Sequence, residues 1–154
     1  DKKEIRSLYL QGIDWWNKGK YDKALVCFQR AHELAPQNPF IMSYLGLARV
    51  KMNAVEEGVE LCKEALKKKP FNEDLIYNLG QACRLGGMRQ EARKAFLMGA
   101  KVSDNPGRFL QALKEMGVRR KPIIPFLPRE NFLNRWLGKL TYRPDRFKIE
   151  DIEN

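Results

Sequence analysis

The chain has 154 residues, 44% of them hydrophobic and 31% charged, with a formal net charge of +10. That length suits one domain of ordinary size with its own core, and no apolar run approaches the ~20 residues that a membrane-spanning helix needs. The charge is uneven: residues 119–148 hold nine basic side chains (Arg119, Arg120, Lys121, Arg129, Arg135, Lys139, Arg143, Arg146 and Lys148) against two acidic ones, whereas residues 1–106 hold 18 against 13.

In chain order, residues 4–18 read as a helix with Leu8, Gly12 and Trp15 on one face. Residues 19–22 break it, and Asp22 is placed to cap the next helix. That helix carries Ala24, Phe28 and Ala31 and ends near Pro36, which cannot extend it. A second unit follows with Met42, Leu45, Gly46 and Arg49, then Gly58, Cys62, Ala65 and Pro70. The third has Ile76, Leu79, Gly80 and Cys83, then Ala92, Phe96 and Gly99, and closes at residues 104–106. Residues 108–116, with Leu110 and Leu113 on one face and Gly117 as the stop, form a terminal helix that covers the last apolar surface. Seven helices and no strands are expected.

Three residue sets recur at a spacing of 34: Gly12, Gly46 and Gly80; Ala24, Gly58 and Ala92; Ala31, Ala65 and Gly99. A fixed period of this length marks stacked helix–turn–helix units that bury their apolar faces only against one another. The small residues let the two helices of a unit approach closely, and Trp15, Phe28 and Phe96 fill the space between units. With these residues, residues 5–106 resemble the tetratricopeptide repeat family. The resemblance implies an all-α, right-handed superhelical solenoid of three repeats and a capping helix over residues 1–117, with residues 118–154 as an extended basic tail. The second unit departs from the family pattern with Arg49 for a large apolar residue, Gly58 for Ala and Cys62 for Phe. These departures bear on how tightly the middle unit packs.

In the resembled family the first helix of each pair lines a concave, peptide-binding side. Helical spacing places Arg6, Tyr9, Ile13 and Trp16 there, then Phe40, Ser43, Leu47 and Val50, then Asp74, Tyr77, Gln81 and Arg84, with Arg108 at the exit. Tyr9, Trp16, Phe40, Leu47 and Tyr77 are the expected contact surface, and Arg6, Lys51, Arg84 and Arg108 the groups that orient an acidic or C-terminal group. The alternative is that some of these side chains pack against neighbouring units. One branch of the family holds the C-terminal carboxylate of heat-shock chaperones with a Lys/Asn/Arg clamp. Here the corresponding positions hold Tyr9 and Ile13, so capture of such a tail is not expected.

Beyond Val118, Pro122, Pro125 and Pro128 favour extended backbone. Asn131 then caps a short amphipathic helix with Phe132, Leu133, Trp136, Leu137 and Leu140 on one face. So apolar a tail packs back on the repeats, exchanges between two copies, or binds another protein. Arg119, Arg120, Lys121, Phe126, Arg129 and Trp136 are its expected contact residues. The alternative function is that of an RNA- or nucleoprotein-associated factor, with these cations on phosphates and Phe126 or Trp136 stacked on bases. An anionic membrane surface is a third partner for the 132–140 helix.

No catalytic motif is present: no GxGxxG, GxxxxGK[ST], HExxH or GxSxG, and the one histidine, His32, has no carboxylate or thiol at a fixed spacing. Cys27, Cys62 and Cys83 have neither CxxC nor zinc-ligand spacing and read as buried thiols in a reducing compartment, the cytoplasm. Asp1 in place of Met leaves room for an upstream segment. The expected function is that of a non-enzymatic scaffold or adaptor, without metal or cofactor, whose partner is a protein or peptide.

Overall fold

The structure, a computed structural model, describes residues 1–117 and Phe132. Among residues 1–117 there are seven helices, α1 (Lys2–Asn17), α2 (Tyr21–Leu34), α3 (Pro39–Lys51), α4 (Val55–Lys68), α5 (Glu73–Leu85), α6 (Arg89–Val102) and α7 (Gly107–Glu115). Helices α1–α2, α3–α4 and α5–α6 form three hairpins; α2 packs on α3, α4 on α5, α3 on α5, and α7 closes on α6. This is the all-α solenoid that the 34-residue period implies. Among the described residues, no helix is long and apolar enough to cross a membrane.

Repetition extends to the turns. Gly19, Asn53 and Gly87 occupy equivalent positions and all have positive φ (71°, 66° and 77°), a conformation that glycine takes freely and asparagine more readily than other side chains. Asn38 and Asn72 cap α3 and α5, accepting hydrogen bonds from Phe40 N and Leu75 N at 3.0 and 3.1 Å. Asp22 does not cap α2. It lies in the first turn, after an N-cap Lys20 with no side-chain bond, and a carboxylate there acts on the helix dipole instead.

The glycine positions show how each hairpin closes. A Cβ on Gly12 would come within 2.9 Å of Phe28 Cζ, and one on Gly80 within 2.8 Å of Phe96 Cζ. Both rings are fully buried within their own hairpin, and Phe28 also stacks 5.4 Å from Tyr44 of the next. Trp15 does not share this role. It is half-buried, with the Lys18 and Lys23 ammonium groups 5.3 and 4.4 Å from its ring centre.

The middle hairpin lacks the large ring and closes backbone to backbone. A Cβ at Gly46 would lie 2.5 Å from Gly58 O, and one at Gly58 2.5 Å from Gly46 O. Cys62 fills the small remaining space and its thiol donates to Ser43 O at 3.3 Å. The departures from the family pattern thus work as a set: with no phenylalanine to seat, the helices close on two bare glycines. Cys62 and Cys83 are buried free thiols, as expected, whereas Cys27 is only half-buried.

The two ends of the array differ from its interior. Leu45 and Ala48 of α3 bury against Ala24 and Phe28 of the first hairpin. Their equivalents in α1, Gln11 and Asp14, are exposed and satisfied locally, Gln11 by Ser7 at 3.2 Å and Asp14 by Lys18 at 2.6 Å. At the other end α7 buries Phe109, Ala112 and Leu113. Lys114 stands there at the position that Gly12, Gly46 and Gly80 hold in the hairpins, so α7 offers no bare spot for a further partner helix. Gly117 ends it with φ 76°.

Candidate functional site

Helices α1, α3, α5 and α7 supply one side of the array. The central helix α3, packed on by α2, α4 and α5, buries eight of its 13 residues. Leu47 is among them at 2% exposure, in the core with Val50 and Val59, and is therefore not a surface contact. Ser43 and Val50 are buried with it. From α3, Phe40 and Tyr44 keep partial exposure on this side.

Tyr44 is the hub. Its ring meets that of Tyr9 edge-on at 5.8 Å, and the side chain of Asn78, a buried amide on α5, approaches its hydroxyl. Burial first, then the Tyr44 phenol and the Asp74 carboxylate, pushes the Tyr9 hydroxyl up to about 12. Burial and Asp74 likewise raise Tyr44, with the Asn78 amide and Arg108 acting in the opposite direction. Both phenols therefore stay neutral at physiological pH, each able to donate and accept. Further along, Gln81 Nε2 donates to the Tyr77 hydroxyl at 2.7 Å. Tyr77 packs against Phe96 and Phe109 at 5.7 and 5.8 Å.

The cations at the exit are occupied. Arg108 pairs with Asp74 at 2.8 Å and Glu73 at 3.6 Å, while its guanidinium lies 5.1 Å from the centres of the Tyr77 and Phe109 rings. Arg84 pairs with Glu115 at 2.9 Å, whose carboxyl is held below its usual range by bonds from Gln111 and Arg84. These two arginines dock α7 on α5 instead of standing free for an acidic ligand. Lys51 is likewise engaged, 4.6 Å above the Tyr21 ring. Trp16 sets its ring 4.9 Å from Tyr21, and Ile13 packs on the Ala24–Phe28 cluster.

Arg6, Tyr9 and Phe40 do come together. With Ile5 and Ile41 they line a cleft of about 370 Å³ between α1 and the start of α3, with Lys2 at its rim. The sequence reading missed Tyr44 and Asn78. The signal was present: α3 is apolar around its whole circumference, which marks a helix enclosed on most sides, so its one tyrosine was the residue with a polar tip to bring out. Of the tail residues, Phe132 is helical and exposed; Arg119, Arg120, Lys121, Phe126, Arg129 and Trp136 lie outside the described residues.

Residues 5–38 match the family model of the tetratricopeptide repeat. The chain is similar to the peroxisomal targeting signal receptor of Candida albicans, 29% identical over 96 residues that make up 62% of this chain and 16% of the receptor. It thus spans a small part of that relative's length. Among solved structures it resembles the first TPR of Spaghetti (RPAP3) bound to the HSP90 peptide SRMEEVD, with TM-score 0.63 at 19% identity, covering 76% of this chain and 93% of that one. It also resembles the Sgt2 TPR domain from Aspergillus fumigatus, with TM-score 0.59 at 24% identity, covering 73% of this chain and 78% of that one. At these identities the structural likeness is one of fold.

Proposed function

Because the chain is a tetratricopeptide repeat protein, we propose that it works as a non-enzymatic adaptor that holds a peptide or partner segment along the face of α1, α3, α5 and α7. Residues 1–117 are the binding unit in this reading and residues 118–154 an extension of it. The observation that supports it is the strip of Tyr9, Tyr44 and Asn78, two neutral phenols and a buried amide side by side. Aromatic faces supply apolar contact at low entropic cost, and hydroxyl and amide groups match the hydrogen bonds of a peptide backbone. No residue is assigned a catalytic role, and no metal or cofactor is invoked.

The face differs in charge from what an acidic tail such as SRMEEVD, the ligand of the structural neighbour, would require. Arg84 and Arg108 are neutralised by Glu115, Glu73 and Asp74, and Asp74 adds negative charge beside the two tyrosines. Like charges placed opposite each other oppose binding. The ligand that suits the centre of the face is neutral there and carries bulky apolar anchors.

Selection of a displayed peptide library against the full chain tests the reading. Selected peptides should share apolar anchors, bind more tightly than SRMEEVD, and lose about tenfold in affinity, roughly 1.4 kcal/mol, on Tyr44→Ala or Gln81→Ala with helicity intact. Selected peptides indifferent to both substitutions would remove this face from the account.

A further inference from the structure

The cleft between α1 and α3 is chemically unlike the rest of the face. Its walls are apolar: Ile5 and Tyr9 from α1, Phe40 and Ile41 from α3. Among the described residues the charged groups that line it are both cations, Lys2 and Arg6, and the Lys69 ammonium lies nearby, 5.1 Å from the centre of the Phe40 ring. Arg84 and Arg108 each meet a carboxylate of this chain. Among the described residues, neither Lys2 nor Arg6 forms an ion pair or a hydrogen bond through its side chain. An apolar hollow ringed by unneutralised positive charge, on a face whose other cations are spoken for, has a complementary ligand of definite kind.

We propose that this cleft is an anchor subsite for a partner segment in which a bulky apolar side chain stands next to an aspartate or glutamate. The apolar side chain enters between Tyr9 and Phe40, and the carboxylate meets Arg6 and Lys2 at the rim. A volume of about 370 Å³ lies at the lower end of the range for small-ligand pockets and suits one large side chain, not an extended stretch. The acid is a side chain and not a chain terminus. A terminus is held by converging fixed donors, whereas here the charge sits on two long, flexible side chains. The subsite rests on the adaptor reading and names the chemistry of what is adapted. It also moves the recognition of negative charge from the exit arginines to the opposite end of the array.

Three hexapeptides and one tetrapeptide, titrated into the full chain and followed by amide chemical shifts, test it. The first, acetyl-Ser-Gly-Glu-Phe-Gly-Ser-amide, has no charged terminus; two others replace Glu by Gln or Phe by Ser. The fourth is acetyl-Ser-Gly-Gln-Phe with a free carboxylate. The Glu-Phe peptide should shift residues around 2–9 and 38–41 and bind about fivefold more tightly than the Gln-Phe peptide, the scale of two solvent-exposed ion pairs. That advantage should fall to about twofold in Arg6→Gln, an exposed position whose loss leaves the Lys2 pair, and vanish in about 1 M salt, where the screening length is about 3 Å. Equal affinity for Glu-Phe and Gln-Phe, shifts confined to other helices, or tightest binding by the free-carboxylate peptide would each overturn the subsite. If library-selected peptides still depend on Tyr44 and Gln81, the adaptor reading survives that failure; if they do not, both fall.

Discussion

The packing of α7 on the last hairpin can be tested by exchanging two residues. A Cβ on Gly99 would lie within 2.5 Å of Phe109 Cζ and nearer still to two other ring carbons, and Phe109 is fully buried, so the ring has no free space to turn into. Forcing extra volume into a filled core costs about 1–3 kcal/mol, against which Gly→Ala inside a helix returns about 1 kcal/mol. With three ring carbons overlapped the cost lies in the upper part of that range, about 2–3 kcal/mol, so Gly99→Ala should destabilise by about 1–2 kcal/mol on balance. Phe109→Leu alone removes buried carbon and leaves a void, a further loss of roughly 1–2 kcal/mol. One repeat earlier the array already uses the alternative pair, Ala65 packed with Leu75, both with no exposure. Combined, Gly99→Ala and Phe109→Leu recreate that pair, so the double variant should lie within about 1 kcal/mol of the parent, a coupling of about 2 kcal/mol. Urea unfolding followed by far-ultraviolet circular dichroism gives the cycle. Amide exchange in α7 serves as the local readout, because the end of a repeat array opens more easily than its middle. Additive losses in the double variant, or a Gly99→Ala chain no less stable than the parent, would refute the reasoning.

Gly58→Ala installs the residue that both other hairpins carry, yet it should lower the urea midpoint by an amount equivalent to about 2 kcal/mol, because the new methyl meets the Gly46 carbonyl and the backbone nitrogen and side chain of buried Val50 together. Asp74→Asn should lower the titration of both Tyr9 and Tyr44, read as tyrosinate absorbance, since Asp74 raises each of them; unchanged titration would separate Asp74 from the strip. His32 has a pKa below the ordinary 6.5, through burial and then Arg49. The unfolded chain therefore binds more protons than the native one just below that value, and the contribution of His32 is complete above pH 6.5 and lost as pH falls through the native pKa. His32→Gln should flatten the decline in stability from pH 6.5 toward 5, and an identical pH profile would discount burial of the imidazole.

What the sequence discloses follows from what repetition encodes. The glycine and alanine sets fix helix number, hairpin pairing and the position of the last helix, because each marks a place where backbone or ring must come close. The left-handed turn at Asn53 is legible too, once Gly19 and Gly87 are aligned with it. The site is less legible, because the same register was carried from α1 to α3 although the two helices have different surroundings. Helix α1 packs mainly on α2 and keeps Tyr9 and Ile13 half-exposed, whereas α3 is enclosed by α2, α4 and α5 and draws Leu47 into the core. Ion pairing is not periodic at all. Nothing in the spacing of Arg84 and Arg108 announces that Glu115, Glu73 and Asp74 arrive beside them when α7 docks, and that docking removes them from the candidate ligand contacts.

Photo-crosslinking from two positions of the full chain, in the presence of a library-selected peptide, tests most directly whether the first-helix face is the binding face. A benzophenone side chain replacing Tyr44 on α3 should join covalently to the peptide, and one replacing Val26, exposed on α2, should not. Crosslinks from position 26 with none from position 44 would contradict the account.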